Sequence, residues 1–392
     1  MKIYLIGTGM DGCKTLTKEA RDAIADSSLL IGAERMLKPF TETDKKTICA
    51  YMPQDIADAL NNGSNDTAAV LLSGDIGFFS GAKNLFPLLH THEVKPVCGI
   101  SSAAYLCALA GISYENMKMI SLHGRHSNIA VNVRMNEKCF FLLGGDTDAS
   151  AVCRRLCDNR LNGVTVYIGE NLGYDNEKIY TGTAEDFTCA RTSNLCALIT
   201  VNNNHLKYIP SAIEDGEFIR ADIPMTKSAV RGNIGGGMNI GSDSICWDIG
   251  CGTGSVSVEM AFRCPDGKVF AFDKKSEAVG LTMKNAARFC CDNISAAVGL
   301  CPDILENAPA PNKVFIGGSS GNLTGIIECA RGKNPCADIT ISAVSIETLE
   351  QARKALGDKC SITQIAVTET KKIGGHTMLA AQNPVFIIKE QK

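Results

Sequence analysis

Two glycine-rich turns, each placed after a run of apolar residues, carry the chemistry that this sequence can do. In the second half, Trp247-Asp248-Ile249-Gly250-Cys251-Gly252-Thr253-Gly254-Ser255 puts glycine at 250, 252 and 254, where a strand gives way to a helix. Glycine lets the backbone turn tightly and approach a ligand closely. The helix start beyond it offers free N–H groups and the positive end of a dipole. The next apolar run, Val269-Phe270-Ala271-Phe272, ends in Asp273. One carboxylate there could accept two hydrogen bonds from the adjacent hydroxyls of a ribose. A nicotinamide fingerprint needs GxGxxG, whereas here the third glycine comes one residue early and Ser255 follows it. In the first half, Gly7-Thr8-Gly9-Met10-Asp11-Gly12 does satisfy GxGxxG. Thr15 or Thr17 could cap the following helix, and Glu34 could serve as the ribose acid. On these residues alone, an NAD-linked oxidoreductase is a fair reading of the first half.

Three further loops in the first half add polar groups: Leu72-Ser73-Gly74-Asp75-Ile76-Gly77-Phe78-Phe79-Ser80, Cys98-Gly99-Ile100-Ser101-Ser102, and Ser121-Leu122-His123-Gly124-Arg125. Arg125 offers a planar fork for a carboxylate and His123 a second donor. Lys227, Arg231 and His376 are the corresponding candidates in the second half. The remaining histidines, at 90, 92, 126 and 205, read as surface or structural. No nucleophile–base–acid triad stands out. No CxxC pair occurs among the 18 cysteines, so no metal site is expected and the thiols read as small apolar residues. Their number fits a reducing, anaerobic cytosol.

These residues are positioned by alternating strands and helices. In the first half the runs 3–6, 69–72, 140–143, 164–168 and 195–201 read as strands, and 15–25, 101–110 and 149–160 as helices. In the second half 245–249, 269–272, 314–316, 339–343 and 385–388 read as strands, with helices at 255–261, 276–289, 323–331 and 346–356. Apolar strands separated by helices imply an α/β layer structure with a largely parallel sheet in each half. Polarity rises near Asn202-Asn203-Asn204-His205, and the acidic Glu214-Asp215-Gly216-Glu217 follows. The expected division is therefore 1–202 and 223–392, with 203–222 as linker. A length of 392 residues suits two domains. With 39 Lys and Arg against 42 Asp and Glu, no basic surface for nucleic acid is expected. The N-terminus lacks the marks of a signal peptide and no apolar run is long enough to span a bilayer. A cytoplasmic protein is expected, with no membrane partner.

The second half resembles the decarboxylating C15-methyltransferases of precorrin-6B. The resemblance rests on the Asp248–Gly254 motif, which is similar to the first motif of class I S-adenosylmethionine-dependent methyltransferases. It rests also on Asp273, Ile223-Pro224-Met225-Thr226-Lys227-Ser228-Ala229-Val230-Arg231, Phe315-Ile316-Gly317-Gly318-Ser319, Gly374-Gly375-His376 and Asn383-Pro384. It implies that Asp248 helps hold the donor's ammonium, that Gly250, Gly252 and Gly254 pack on its amino-acid end, and that Asp273 holds its ribose. It leaves Lys227 and His376 as candidate catalytic groups and Lys227 and Arg231 as substrate contacts. One departure is Gly299-Leu300-Cys301-Pro302, where relatives carry an acid.

The three loops of the first half, in their order, resemble the tetrapyrrole methylases, specifically the C5-methyltransferases of precorrin-7. That resemblance implies a bilobal α/β fold holding S-adenosylmethionine in a cleft. Gly74, Asp75, Gly77 and Ser80 would contact the donor, with Ser101 and Ser102 nearby, and His123 and Arg125 would face a carboxylate-rich corrinoid. Cys98 replaces the usual Pro, and Gly144, in Leu143-Gly144-Gly145-Asp146, the usual Thr. Together the resemblances imply a bifunctional methyltransferase of cobalamin biosynthesis with two donor sites, a precorrin or cobalt-precorrin substrate, and self-association into a homo-oligomer. A corrinoid carrier module would need an axial-ligand His motif, which is absent.

Overall fold

The computed structural model describes residues 1–63, 65–124, 127–145, 147–357 and 360–390. The chain divides into two compact units. The first comprises Met1–His126, Lys138–Arg154 and Gly163–Val201, the second Ser127–Glu137, Arg155–Asn162 and Asn202–Lys392.

The first unit contains two five-stranded sheets. One is built from β1 (Lys2–Gly7), β2 (Leu29–Gly32), β3 (Lys46–Cys49), β4 (Thr67–Leu72) and β5 (Glu93–Val97), in the order β3-β2-β4-β1-β5. All its pairs are parallel. Its central strands are apolar on both faces, as a sheet covered on both sides requires, and Ile3, Leu5, Ile31 and Val70 have no solvent exposure. The other sheet comprises β6 (Lys118–Ser121), β7 (Lys138–Leu142), β8 (Thr165–Glu170), β9 (Lys178–Thr183) and β10 (Cys196–Val201), in the order β6-β7-β10-β8-β9. Only β6 and β7 pair in parallel; the other three pairings are antiparallel. The largely parallel sheet expected of the first half is therefore true of its first sheet and not of its second. β2, β3, β5, β6 and β9 lie outside the strands expected from sequence. Most are four or five residues long, and the edge strands β3 and β5 carry lysines, with Pro96 in β5, as tolerated only where no ladder bond is needed.

The second unit holds a seven-stranded sheet of β11 (Ile245–Ile249), β12 (Lys268–Asp273), β13 (Ile294–Val298), β14 (Lys313–Ile316), β15 (Asp338–Ala343), β16 (Cys360–Ile365) and, after an intervening hairpin, β19 (Val385–Glu390). The hairpin is β17 (Thr368–Ile373) with β18 (His376–Ala381). The order is β13-β12-β11-β14-β15-β19-β16. The first five strands are parallel, and β19 runs antiparallel between β15 and β16. Strand order reverses at β11, and ligands of open α/β sheets bind at the carboxyl ends of strands flanking such a point. Trp247, fully buried on β11, donates its indole N–H to the Pro309 carbonyl at 3.1 Å.

The stretch expected to act as linker is packed in its later part. Ile213 and Phe218 are buried in the core of the second unit, and their neighbours bind it through side chains. The Ile213 N–H donates to Glu259 and that of Ile219 to Asn285. The helix Ala130–Met135 also belongs to this unit, and the Asp292 carboxylate accepts the N–H groups of Ile129, Ala130 and Val131 at its start.

Arg231 is a structural element of this core. It is 1% exposed. Its guanidinium donates to Glu259 and Asp215, each at 2.8 Å, and to the carbonyls of Thr226 and Ile213. It also lies 4.9 Å from the Phe218 ring centroid. A guanidinium so committed cannot fork onto a substrate carboxylate, so the substrate contact expected of Arg231 does not fit its position. Burial holds the Glu259 carboxyl above its ordinary range despite Arg231. Replacing Arg231 by Met leaves Glu259 without its countercharge, and chemical denaturation should record a loss of about 3–5 kcal/mol.

Candidate functional site

Strand register sets Asp273 beside the glycine motif. Ile249 of β11 pairs with Phe272 of β12 and with Ile316 of β14. Gly250 therefore has Asp273 beside it on one side and Gly317-Gly318 on the other. Gly250 has φ +75°, and a Cβ there would stand 2.7 Å from the Gly318 nitrogen. Only glycine meets both conditions. Gly254 likewise has φ +74° and touches Thr282.

Two cavities of the second unit meet at this turn. One, of about 290 Å³, is lined by Asp273, Lys275, Gly299, Leu300, Ser319 and their neighbours. The other, of about 530 Å³, is lined by Met225, Lys227, Asp248, Thr253, Ser342 and Asn383 among others, and Pro224, Gly250 and Gly317 border both. Asp273 spans the turn: it accepts the Gly252 N–H at 3.1 Å and the Lys275 N–H at 3.0 Å. Leu300, at the position where an acid was absent from the sequence motif, is half exposed on the rim.

Asp248 is 1% exposed. Its Oδ2 accepts the Ser257 hydroxyl, while its Oδ1 is buried without a hydrogen-bond partner, as is Thr253 Oγ1. A buried carboxylate oxygen left unpaired is costly. Burial pushes the Asp248 carboxyl up to about 7; the Ser257 hydroxyl opposes this and the Asp273 charge adds to it. An ammonium arriving in the larger cavity would satisfy the orphaned oxygen. The donor set therefore fits a ligand with a cationic amino-acid end on one side of Gly250 and a hydroxylated sugar on the other.

Lys227 lines the larger cavity with its ammonium 3.5 Å from Asp215. His376 lies elsewhere. It is exposed at the turn of the β17–β18 hairpin, and only residues flanking the base of that hairpin, Val367, Gln382 and Asn383, reach the cavity. The catalytic role expected of His376 finds no support in that placement. Ser257 escaped the sequence reading; a hydroxyl in a wholly buried helical turn was its signal.

The first unit has its own cavity, of about 250 Å³, lined by Met10, Arg35, Gly74, Phe78, Phe79, Ser102, His123 and Asn194 among others. At Gly74, on its wall, backbones meet closely. Gly9 and Gly74 exchange N–H···O bonds of 3.0 and 2.8 Å, and a Cβ on Gly99 would meet the Gly74 oxygen at 2.2 Å. The GxGxxG run thus serves loop packing. Thr17, rather than Thr15, caps the next helix, which begins only at Lys18, so the GxGxxG run does not open directly into a helix as a dinucleotide fingerprint does. The oxidoreductase reading of the first half loses its physical basis there.

Gly74, Ser102 and His123 come together on this cavity. Asp75 folds back to accept the Gly77 N–H, Ser80 accepts from Ala82, and Ser101 caps the helix Ser102–Ala110 through Ala104. Asp75, Gly77, Ser80 and Ser101 thus shape the loops around the cavity. Arg125 lies outside the described residues. A Cβ at Gly144 would stand 2.0 Å from His123 Nδ1, so the imidazole fills the space that a side chain at 144 would need. Phe79 has φ +47° and is 44% exposed, a strained conformation for a bulky residue that costs about 1–3 kcal/mol.

One chain thus carries a Rossmann-like sheet with a glycine turn and two acids, and an α/β unit of two five-stranded sheets with its own cavity. Residues 217–392 match the family described as precorrin methyltransferase domain, and residues 2–188 match the tetrapyrrole (corrin/porphyrin) methylases. A probable cobalt-precorrin-6B C(15)-methyltransferase (decarboxylating) of Pyrobaculum calidifontis is 36% identical over 187 residues, which is 46% of this chain and 96% of that protein. A precorrin-6Y C(5,15)-methyltransferase [decarboxylating] of a Sinorhizobium species is 22% identical over 98% of this chain and 94% of its own. A solved precorrin-6Y C5,15-methyltransferase structure from Geobacter metallireducens is 32% identical and covers 47% of this chain and 100% of its own, with a TM-score of 0.44. The chain belongs to the precorrin methyltransferase family and is an S-adenosylmethionine-dependent enzyme.

The raised Asp248 carboxyl gives a pH signature. Below about pH 7 it is neutral and must lose a proton to receive an ammonium; above it, the charge is already present. Affinity of the second unit for S-adenosylhomocysteine should therefore rise between about pH 6 and 8 and then level off, with proton release on binding at the acid end. Calorimetry in buffers of different ionisation enthalpy reads both, and Asp248→Asn should abolish both. Gly250→Ala should cost more than the roughly 1–2 kcal/mol of a left-handed residue, because Gly318 must also move, and donor affinity should fall with it.

Proposed function

We propose that this chain carries out two methyl transfers on a corrin precursor. The second unit methylates C15 and removes the acetate carboxyl at C12 as CO₂, and the first methylates C5. We divide the activities at the segment 203–222, with 1–202 and 223–392 as the methylating domains, each with its own donor site. The carrying observation is the buried Asp248 with an unpaired oxygen, set across Gly250 from Asp273. The names of the Pyrobaculum and Sinorhizobium relatives support the reactions. The abundance of cysteines and the Pyrobaculum name favour a cobalt-containing substrate.

S-adenosylmethionine supplies an electrophilic methyl group when bound. The protein's task is then alignment and exclusion of water, and orientation of this kind can contribute up to about 7–11 kcal/mol. In the second unit, Asp248 would hold the ammonium, Asp273 the ribose hydroxyls and the Gly250 turn the amino-acid end. Lys227, half-exposed on the larger cavity, would hold a substrate carboxylate. In the first unit, Gly74 and its hydrogen-bonded partner Gly9 would set the donor's bed, with Ser102 and His123 at its side. The macrocycle can accept the electrons released on loss of CO₂ while the methyl carbon bonds to C15, so no nucleophilic side chain is needed. No helix among the described residues is long and apolar enough to cross a membrane. A cytoplasmic homo-oligomer acting on this small molecule, with no nucleic acid or membrane partner, completes the reading.

Calorimetric titration of the intact chain with S-adenosylhomocysteine should give two sites, and Asp273→Ala should retain only one. A single site in the intact chain would remove the claim for one of the two units. Binding of NAD(H) in place of S-adenosylhomocysteine would overturn the reading altogether.

A further inference from the structure

Two residues on the wall of the first cavity, Arg35 and Phe79, have no role assigned toward the donor, and both present chemistry suited to something else. Arg35 sits on the short helix Glu34–Leu37, anchored by Met36 and Leu37, which are buried; Met36 Sδ accepts the Thr8 hydroxyl at 3.1 Å. The anchor is rigid, yet Arg35 itself is exposed, lines the cavity, and forms no hydrogen bond or ion pair with any described residue. Phe79 is the second. Phe78 packs inward, its ring edge-on to Phe140 with centroids 5.5 Å apart. The left-handed turn at Phe79 then leaves the next ring on the cavity wall, half exposed. Strain kept to display an aromatic surface in a cleft marks a ligand contact.

We propose that Arg35 and Phe79 select the substrate of the first unit: the Phe79 ring packs on the face of a conjugated macrocycle, and the Arg35 guanidinium grips one of its peripheral carboxylates. A guanidinium with no partner among the described residues matches a carboxylate by its planar fork, and an aromatic face matches an extended π-system. This rests on reading the first unit as a corrin methylase, and it names the side chain that distinguishes free-acid from amidated rings. Amidated side chains offer no charge to Arg35.

The test uses the full chain and two probes, cobyrinic acid with free carboxylates and cobinamide with amidated ones, each titrated by corrin absorbance. Arg35→Met should weaken cobyrinic acid about tenfold and leave cobinamide unchanged, and Arg35→Lys should recover part of the loss. Phe79→Leu should weaken both probes. S-adenosylhomocysteine affinity and the melting temperature should stay at native values in the Arg35 variants, since that side chain has no described partner. Unchanged cobyrinic acid binding in Arg35→Met would overturn the proposal. So would a matching loss of S-adenosylhomocysteine affinity, which would assign the guanidinium to the donor's own carboxylate. If the native chain binds cobyrinic acid through Arg35 but transfers no methyl to a corrin precursor, the methylase reading fails while the recognition pair stands; if it binds neither probe, both fail.

Discussion

The approach of two backbones at Gly250 and Gly318 is the constraint on which the second site depends. Their strands, β11 and β14, are neighbours at the point where sheet order reverses, so the loops that follow them diverge and leave a crevice. Because no side chain fits between them, the crevice floor is backbone, and a ligand can lie across it with one end in each cavity. The two acids then acquire different characters from their surroundings. Asp273, at the strand end, already accepts two backbone N–H groups and remains on the cavity wall. Asp248, one residue inside the strand, is sealed from water with one oxygen unpaired. That unpartnered oxygen is the feature on which the proposed ammonium contact rests.

The first unit reaches a similar end by another route. Loops bearing Gly9, Gly74 and Gly99 meet closely through backbone atoms, and of these Gly74 lines the cavity beside side chains such as Met10 and Phe78. His123 occupies the space opposite Gly144, so a different side chain fills the volume that the usual Thr would take. Close-packed glycines thus border the cavities of both units, with polar side chains beside them.

Much of the second site was legible because its signals are local. The turn at 250–254 and the acid at 273 sit at fixed offsets set by strand pairing, and a strand–turn–helix reading recovers them. The bilobal first half and the Rossmann-like second half were legible from alternation of apolar runs. Edge strands such as β3 and β5 were not, because short strands with polar faces and a proline carry no periodic signal. Arg231 illustrates a different limit. Its sequence neighbourhood looks like a binding motif, and only the tertiary placement of Asp215 and Glu259 shows that its charge is consumed internally. The GxGxxG run misleads for the same reason, since glycine spacing reports close backbone approach without saying what approaches. Arg35 and Phe79 were invisible from sequence, for nothing in Ala33-Glu34-Arg35 or Phe78-Phe79 tells which side chain will face the cleft.

That one chain performs two methyl transfers and one decarboxylation on the same macrocycle is best tested by the mass of the product formed from a corrin precursor and S-adenosylmethionine bearing a deuterated methyl group. The expected product has gained two labelled methyl groups and lost one carboxyl as CO₂. A product with a single labelled methyl and its carboxyl retained, or no labelled product at all, would contradict it.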